Sequence, residues 1–427
     1  MDSARRTFLE SLFWAAVDVA HPRLALPPHL PAPPAGRGRV VILAAGKAAG
    51  SMTEVAEQHY RSMVPPHRLA GLAVTRHGYK RPTGHIPVIE AGHPVPDKAG
   101  ISATRRILKL ADAVDANDLV LVLLSGGASA NWISPADGLT LEEKQAATRA
   151  LLHSGARIGE INTVRKHLSR IKGGRLAQRA YPAKVVTLAI SDVPGDDPAV
   201  IGSGPTVPDP TTLADARAVV ERYGLDLPEA VTRALNDPAN ETPKPGDKVF
   251  AATDYHIIAR PADALKAAAE RAVARGYESV MLGDRVEGEA REVAAAHAKL
   301  ARKLKAEGRR AVILSGGELT VTLRGQGKGG PNQEYALALA LHLDGAPGIA
   351  ALAADTDGTD GGRGRPDDPA GAFIDETTLE RARAAGLDPA AFLADNDSTG
   401  FFSGIGDLFR PGPTFTNVTD FRAIVVD

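Results

Sequence analysis

The chain has 427 residues, 44% hydrophobic and 24% charged, with a formal net charge of −1. That length exceeds one ordinary core and implies two compact units, while the balanced charge offers no field to recruit a nucleic-acid backbone. Cysteine is absent, which excludes disulfides, thiolate nucleophiles and cysteine-ligated zinc and fits a reducing, cytoplasmic location.

In chain order, Arg5-Arg6 before Phe8-Leu9 has the look of a twin-arginine export signal. Glu10 and Asp18 interrupt the apolar stretch and no small-residue cleavage site follows, so an amphipathic first helix with Phe8, Leu9, Leu12, Phe13 and Val17 on one face is expected instead. No later run reaches the roughly 20 apolar residues of a membrane span. The proline-rich stretch 26–36 leads to a buried strand over 39–46. Further strands are expected at 69–75, 86–92, 118–126 and 183–191, alternating with helices at 97–113, 140–154, 158–170 and 173–180. Alternation at this pitch implies right-handed crossovers and an α/β fold with a mostly parallel, three-layer sheet. The segment 236–247, NDPANETPKPGD, is poor in apolar residues and reads as the linker, giving domains of 1–240 and 241–427. Alternation then restarts, with strands at 248–253, 277–283, 310–316, 319–324 and 348–355 and helices at 259–275, 288–306 and 331–343.

Several segments carry chemistry. In AAGKAAGS, Lys47 follows a strand and opens a helix among small residues, including Gly46, that let an anion approach the backbone. In LLSGGASAN, the strand end Ser125-Gly126-Gly127, with Ser129 behind, supplies N–H groups that can converge on phosphate oxygens. In INTVRKHLSRIKGGRLA, Arg165, Lys166, Arg170 and Lys172 precede a glycine pair as a cationic group suited to an anionic substrate or a triphosphate, with Arg170 read as part of a solvated helix face. Asp192 ends a strand, where α/β enzymes place a magnesium ligand or a general base. Gly325, Gly327 and Gly330 stand in G-x-G-x-x-G order, formally a dinucleotide fingerprint with Asp355 as ribose acceptor. Asp355, Asp357 and Asp360 lie in a glycine-rich loop suited to a hard divalent cation or to tight turns.

Taken in order, AAGKAAGSM, AGHPVPD, LSGGASA, NTVRKHLSRIKGGRLA, SDVPGDDPAVIGSGPTVPD, SGGELTVTLRGQGKGGPNQE, AADTDGTDG and TNVTDFRAIVV resemble the MOFRL-containing glycerate kinases across nearly the whole chain. The resemblance implies a larger Rossmann-like N-terminal domain, a smaller C-terminal α/β domain and an active site in a cleft between them. It implies ATP, Mg²⁺ and D-glycerate, with 2-phosphoglycerate as product, no nucleic acid or membrane partner, and room for a homodimer. It puts Lys47 on the family's catalytic lysine, joined in catalysis by Asp192 and Arg324. Gly46, Ser125, Gly126, Gly127 and Ser129 would bind nucleotide. Arg165, Lys166, Asn332 and Glu334 would bind substrate, and Asp192, Asp355 and Asp357 the metal. Pro331 stands where the family carries an arginine. The alternatives are an NAD(P)H-dependent hydroxypyruvate reductase, supported by the glycine pattern at 325–330, and a catalytically silent glycerate- or nucleotide-binding protein.

Overall fold

A computed structural model describes residues 1–362 and 365–427. Two compact units emerge. The parallel-sheet unit comprises Leu26–Ala189 and Asp196–Ile258; the mixed-sheet unit comprises Met1–Ala25, Ile190–Gly195 and Ala259–Asp427.

In the parallel-sheet unit, β1 (Val40–Ala45), β2 (Leu69–Arg76), β3 (Val88–Ala91), β4 (Leu119–Leu124), β5 (Lys184–Ile190) and β6 (Thr253–Ala259) assemble in the order β3-β2-β1-β4-β5-β6. The pairs β1–β2, β1–β4, β2–β3 and β4–β5 run parallel. Every residue of β1 and β4 is buried, which is why both read as unbroken apolar runs. The strand expected at 248–253 lies later. Lys248–Phe250 form a single 3₁₀ turn, and the strand starts at Thr253. Its half-exposed pattern alternates Tyr255 with the exposed Asp254 and His256, the mark of an edge strand rather than of a buried run. Two helices not anticipated, Leu213–Arg222 and Glu229–Asn236, pack Leu213, Val219 and Val231 with Leu151 and Val164 into a separate cluster.

The mixed-sheet unit holds β7 (Glu278–Gly283), β8 (Gly288–Glu289), β9 (Ala311–Ser315), β10 (Leu319–Thr320), β11 (Ile349–Asp355), β12 (Gly371–Ile374), β13 (Leu408–Phe409) and β14 (Asp420–Val426). Six of them form a sheet in the order β13-β12-β11-β14-β9-β7. Only β7–β9 is parallel there; the other four pairs are antiparallel. The strand expected over 319–324 stops at Thr320, because side chains capture the N–H groups beyond it. Glu289 takes that of Thr322, and Asn396 Oδ1 takes those of Arg324 and Gly325 at 2.7 and 3.0 Å.

The first helix, Ser3–Ala20, belongs to this mixed-sheet unit, where it packs on the helix Pro261–Val273 and on β14. It buries Leu9, Leu12, Phe13, Ala16 and Val17, and the Phe13 ring meets Phe409 and Phe421 edge-on. Among the described residues no helix is long and apolar enough to cross a membrane.

Candidate active site

The order β3-β2-β1-β4-β5-β6 reverses direction between β1 and β4, and ligands of open α/β sheets settle outside the strand carboxyl ends at such a switch point. The chain leaving β1 there is Gly46-Lys47, and the chain leaving β4 is Ser125-Gly126-Gly127. These two loops are stitched together. Lys47 N–H donates to Gly126 O at 2.7 Å, and Ala48 N–H donates to Ser125 Oγ at 2.9 Å. Gly46 has φ +114°, and a Cβ there would fall 2.3 Å from Ser125 Oγ, so only glycine allows the contact. Ser125 is buried, and its hydroxyl holds the lysine loop rather than facing a ligand. Among the described residues the N–H groups of Gly126 and Gly127 have no protein acceptor, as a phosphate-binding nest requires. Gly127 also stands against His93 and the Lys47 side chain, whose nearest atoms would lie 2.9 and 3.5 Å from an added Cβ. His93 escaped the sequence reading as a site residue, although the AGHPVPD segment carries it.

The same unit buries several basic side chains. Lys166 is paired at 3.5 Å with Asp209, itself 0% exposed. Lys144 donates to the carbonyls of Arg165 and Leu168, and burial with Arg165 and Arg175 nearby pushes its amine down to about 7. Burial likewise lowers the Arg165 guanidinium from its ordinary value. Lys172 donates to Ser129 O at 2.7 Å. Arg165 nonetheless keeps its charge and favours an anionic ligand.

The remaining predicted residues lie in the mixed-sheet unit. Asp192 Oδ2 accepts from Asn417 Nδ2 at 2.9 Å. Asn417 belongs to the segment 414–420, which is bonded to the aspartate loop through Thr356–Thr419, Val418–Thr356 and Thr414–Asp357. Asp192 is thereby tied, through one asparagine, to the loop that carries Asp355 and Asp357. Asp357 in turn donates its N–H to Asp355 Oδ1 at 2.9 Å and accepts from Thr359 N–H and Oγ1. Among the described residues no three His, Asp or Glu side chains form a ready metal cage. The Arg324 side chain is exposed, while Glu334 is buried and holds Arg291 and Asn396.

The glycine pattern has a structural cause. Added Cβ atoms at Gly325, Gly327 and Gly330 would strike Asp395, Asp397 and Asp360 at 2.3–2.4 Å. Asp360 caps the following helix, Pro331–Leu343, by accepting the N–H groups of Asn332 and Gln333 at 3.0 and 2.9 Å. Pro331 has no N–H. The first N–H donors of that helix are already taken, and close packing on the three aspartates accounts for the glycines at 325, 327 and 330 without a dinucleotide. In the second strand–SGG loop, Ser315-Gly316-Gly317, the N–H groups are likewise taken, Gly316 N–H by Gly283 O at 2.9 Å and Gly317 N–H by Thr419 Oγ1 at 3.4 Å, while the buried Arg422 guanidinium holds both glycine carbonyls.

The MOFRL family model matches residues 311–420, and the model described as "Domain of unknown function (DUF4147)" matches residues 8–236. The D-glycerate 2-kinase of Thermotoga maritima is 42% identical over 90% of this chain and 89% of its own. The chain belongs to the MOFRL glycerate kinase family. A Thermotoga maritima crystal structure described as a glycerate kinase superposes with a TM-score of 0.86 at 38% identity, covering all of both chains. A relative from Agrobacterium vitis, named "Putative hydroxypyruvate reductase", is 48% identical over the whole of this chain and 95% of its own.

Proposed function

We propose that this protein transfers the γ-phosphoryl group of ATP to D-glycerate, giving 2-phosphoglycerate, in the cytoplasm. The observation that carries the reading is the switch-point pair of loops, with Lys47 beside two N–H groups that have no protein acceptor among the described residues. In this reading the Gly126 and Gly127 N–H groups hold phosphoryl oxygens, and Lys47 stabilises charge that spreads over the transferring group. Arg165 and Lys166 lend their field to the acid substrate, and Arg324 supplies the second cation. Asn332 and Glu334, expected as substrate contacts, are instead buried and engaged by Asp360, Asp420, Arg291 and Asn396, so they hold the helix Pro331–Leu343 in place.

Mg²⁺ keeps waters and phosphate oxygens as most of its ligands and needs only one or two protein carboxylates. Asp192, Asp355 and Asp357 fit that demand, and the lack of a three-carboxylate cage among the described residues is compatible with it. When bound with ATP the ion neutralises β- and γ-oxygen charge.

The test uses purified protein with ATP, Mg²⁺ and D-glycerate. ADP should form in step with a 2-phosphoglycerate resonance in the ³¹P spectrum. Oxidation of NAD(P)H on hydroxypyruvate without ADP formation would replace this reading by the reductase.

A further inference from the structure

Lys172 has no part in the roles assigned above, yet its surroundings are unusual. The residue is 2% exposed, and among the described residues its amine meets no carboxylate. Its only partners are Ser129 O at 2.7 Å and Ser203 Oγ at 3.3 Å. An ammonium brings three N–H donors and no acceptor, so one donor would be left unmet in a buried site, which is costly. A neutral amine can donate to Ser129 O and accept from the Ser203 hydroxyl; it too keeps one N–H without a partner, but it brings no charge into a buried site that offers no carboxylate. The charged groups facing Lys172 favour the neutral form as well. They are Arg165 on the helix Ile158–His167 and Lys144 on the helix Leu141–His153, and with burial they hold the amine well below its ordinary value. Asp209, whose carboxylate stands against Gly173, is taken up by Lys166, Thr211 and Thr242.

Ser203 continues the chain of contacts outward, its Oγ lying 2.7 Å from Ser129 Oγ. It is 1% exposed and sits at φ +64° between Gly202 and Gly204. A serine in the left-handed region is strained and persists only where its surroundings fix it. Here Gly173 N–H donates to Ser203 O and Gly174 N–H to Gly204 O, at 3.0 and 2.7 Å. The strained turn is thus bonded to the two residues that follow Lys172, and its hydroxyl is set between the amine and Ser129. Ser129 is part-exposed on the loop after β4, so the file of polar atoms runs from the ligand side inward to the lysine.

We propose that Ser129, Ser203 and Lys172 form a proton relay for the acceptor alcohol, with the Ser129 hydroxyl meeting the substrate and Lys172 acting through the two serines. The inference rests on the kinase reading. As the alcohol oxygen forms its bond to phosphorus, its O–H bond breaks and the proton passes to Ser129 Oγ. The Ser129 proton moves to Ser203 Oγ, and the Ser203 proton moves to the lone pair of Lys172 Nζ, which becomes an ammonium. The electron pair of the broken β–γ bond leaves with ADP. After product release the ammonium returns its proton outward by the same path.

Two measurements test the relay. In protein labelled with ¹³C-lysine, the Cε resonance lost in Lys172→Met is followed from pH 5 to 10, which needs no turnover. It should titrate well below an ordinary lysine; an ordinary ammonium value near 10 overturns the relay whatever the protein phosphorylates. The second measurement is the pH profile of kcat with ATP and glycerate. The wild-type rate should fall on the acid side with the midpoint of that Cε titration. Lys172→Met should lower kcat on the order of 10²-fold and abolish the acid limb, with KM for ATP within about twofold. Ser203→Ala should do the same while Lys172 still titrates. Should Lys172→Met not fold, Ser203→Ala decides alone. An unchanged acid limb in a folded variant overturns the relay while leaving the kinase reading intact; no ADP from the wild type, with a neutral amine seen by NMR, overturns the kinase reading and, with it, the assignment of the alcohol as proton source.

Discussion

At the scale of single residues, Lys47 and its loop set the demand on the site. Its N–H is fixed to Gly126 O, and its side chain lies against Gly127, so the backbone beneath the amine is preorganised. A fixed cation contributes most when charge develops in the transition state. Lys47→Ala is therefore expected to lower kcat by about 10²- to 10³-fold, with the nucleotide Kd from equilibrium titration changing far less. A rise in KM for ATP at constant kcat would mean uniform binding instead. Lys47→Arg should rescue poorly, because the planar fork does not occupy the point of a compact ammonium. Lys47 and the two glycines were legible in the sequence, since a strand-then-small-residue loop is written locally. Lys172 was legible only as a cation, not as a buried amine without a carboxylate, and Ser203 and Asn417 were not legible at all, because each owes its place to a partner at least 31 positions away.

At the scale of elements, the helix Pro331–Leu343 carries two buried titratable neighbours of opposite sense. Its cap, Asp360, is pushed up to about 7 by burial and by Asp420. His297, bonded through Nδ1 to Tyr335 Oη at 2.8 Å, is pushed down to about 4 by burial and by Arg422. The folded state holds the Asp360 proton more tightly than the unfolded chain, so this contribution is lost as pH rises from about 4 to about 7. It releases the His297 proton more readily, so that contribution is lost as pH falls from about 6.5 to about 4. The two slopes oppose each other, and wild-type stability should vary little between about pH 5 and 6.5. Asp360→Asn should leave stability rising with pH over that window, and His297→Phe should leave it falling. With two tryptophans in the chain, Trp132→Phe leaves Trp14 as a fluorescence reporter of the mixed-sheet unit during urea unfolding. Parallel slopes in the two variants would show that neither group titrates as assigned. The same helix shows where sequence reading misleads: its three preceding glycines look like a cofactor loop, yet they serve close packing on Asp360, Asp395 and Asp397.

At the scale of the whole molecule, the strands that read as continuous apolar runs were the ones buried on both faces, such as β1 and β4. Strand direction was not legible, because parallel and antiparallel pairing draw on the same apolar residues, and so the mixed sheet came as a departure. Nor could composition show that the mixed-sheet unit gathers three separate stretches of chain. Its first stretch brings Leu9, Leu12, Phe13 and Val17, all 0–1% exposed, each stabilising by roughly 1.5–3 kcal/mol at most. Removing residues 1–20 should therefore cost an amount comparable with the whole stability of a domain. The expected result is loss of the cooperative melt reported by the mixed-sheet unit, with a synthetic 1–20 peptide restoring it; an unchanged Tm in the truncated protein would contradict this packing. The same arrangement bears on biosynthesis. The ribosome makes the first helix about 240 residues before the helix it packs against, and at about 5–20 residues per second its apolar face waits on the order of ten seconds or longer for a partner. During that interval the nascent chain presents Leu9, Leu12 and Phe13 to whatever binds exposed apolar helices, so yield in the cell should depend on chaperone supply more than the stability of the finished protein suggests.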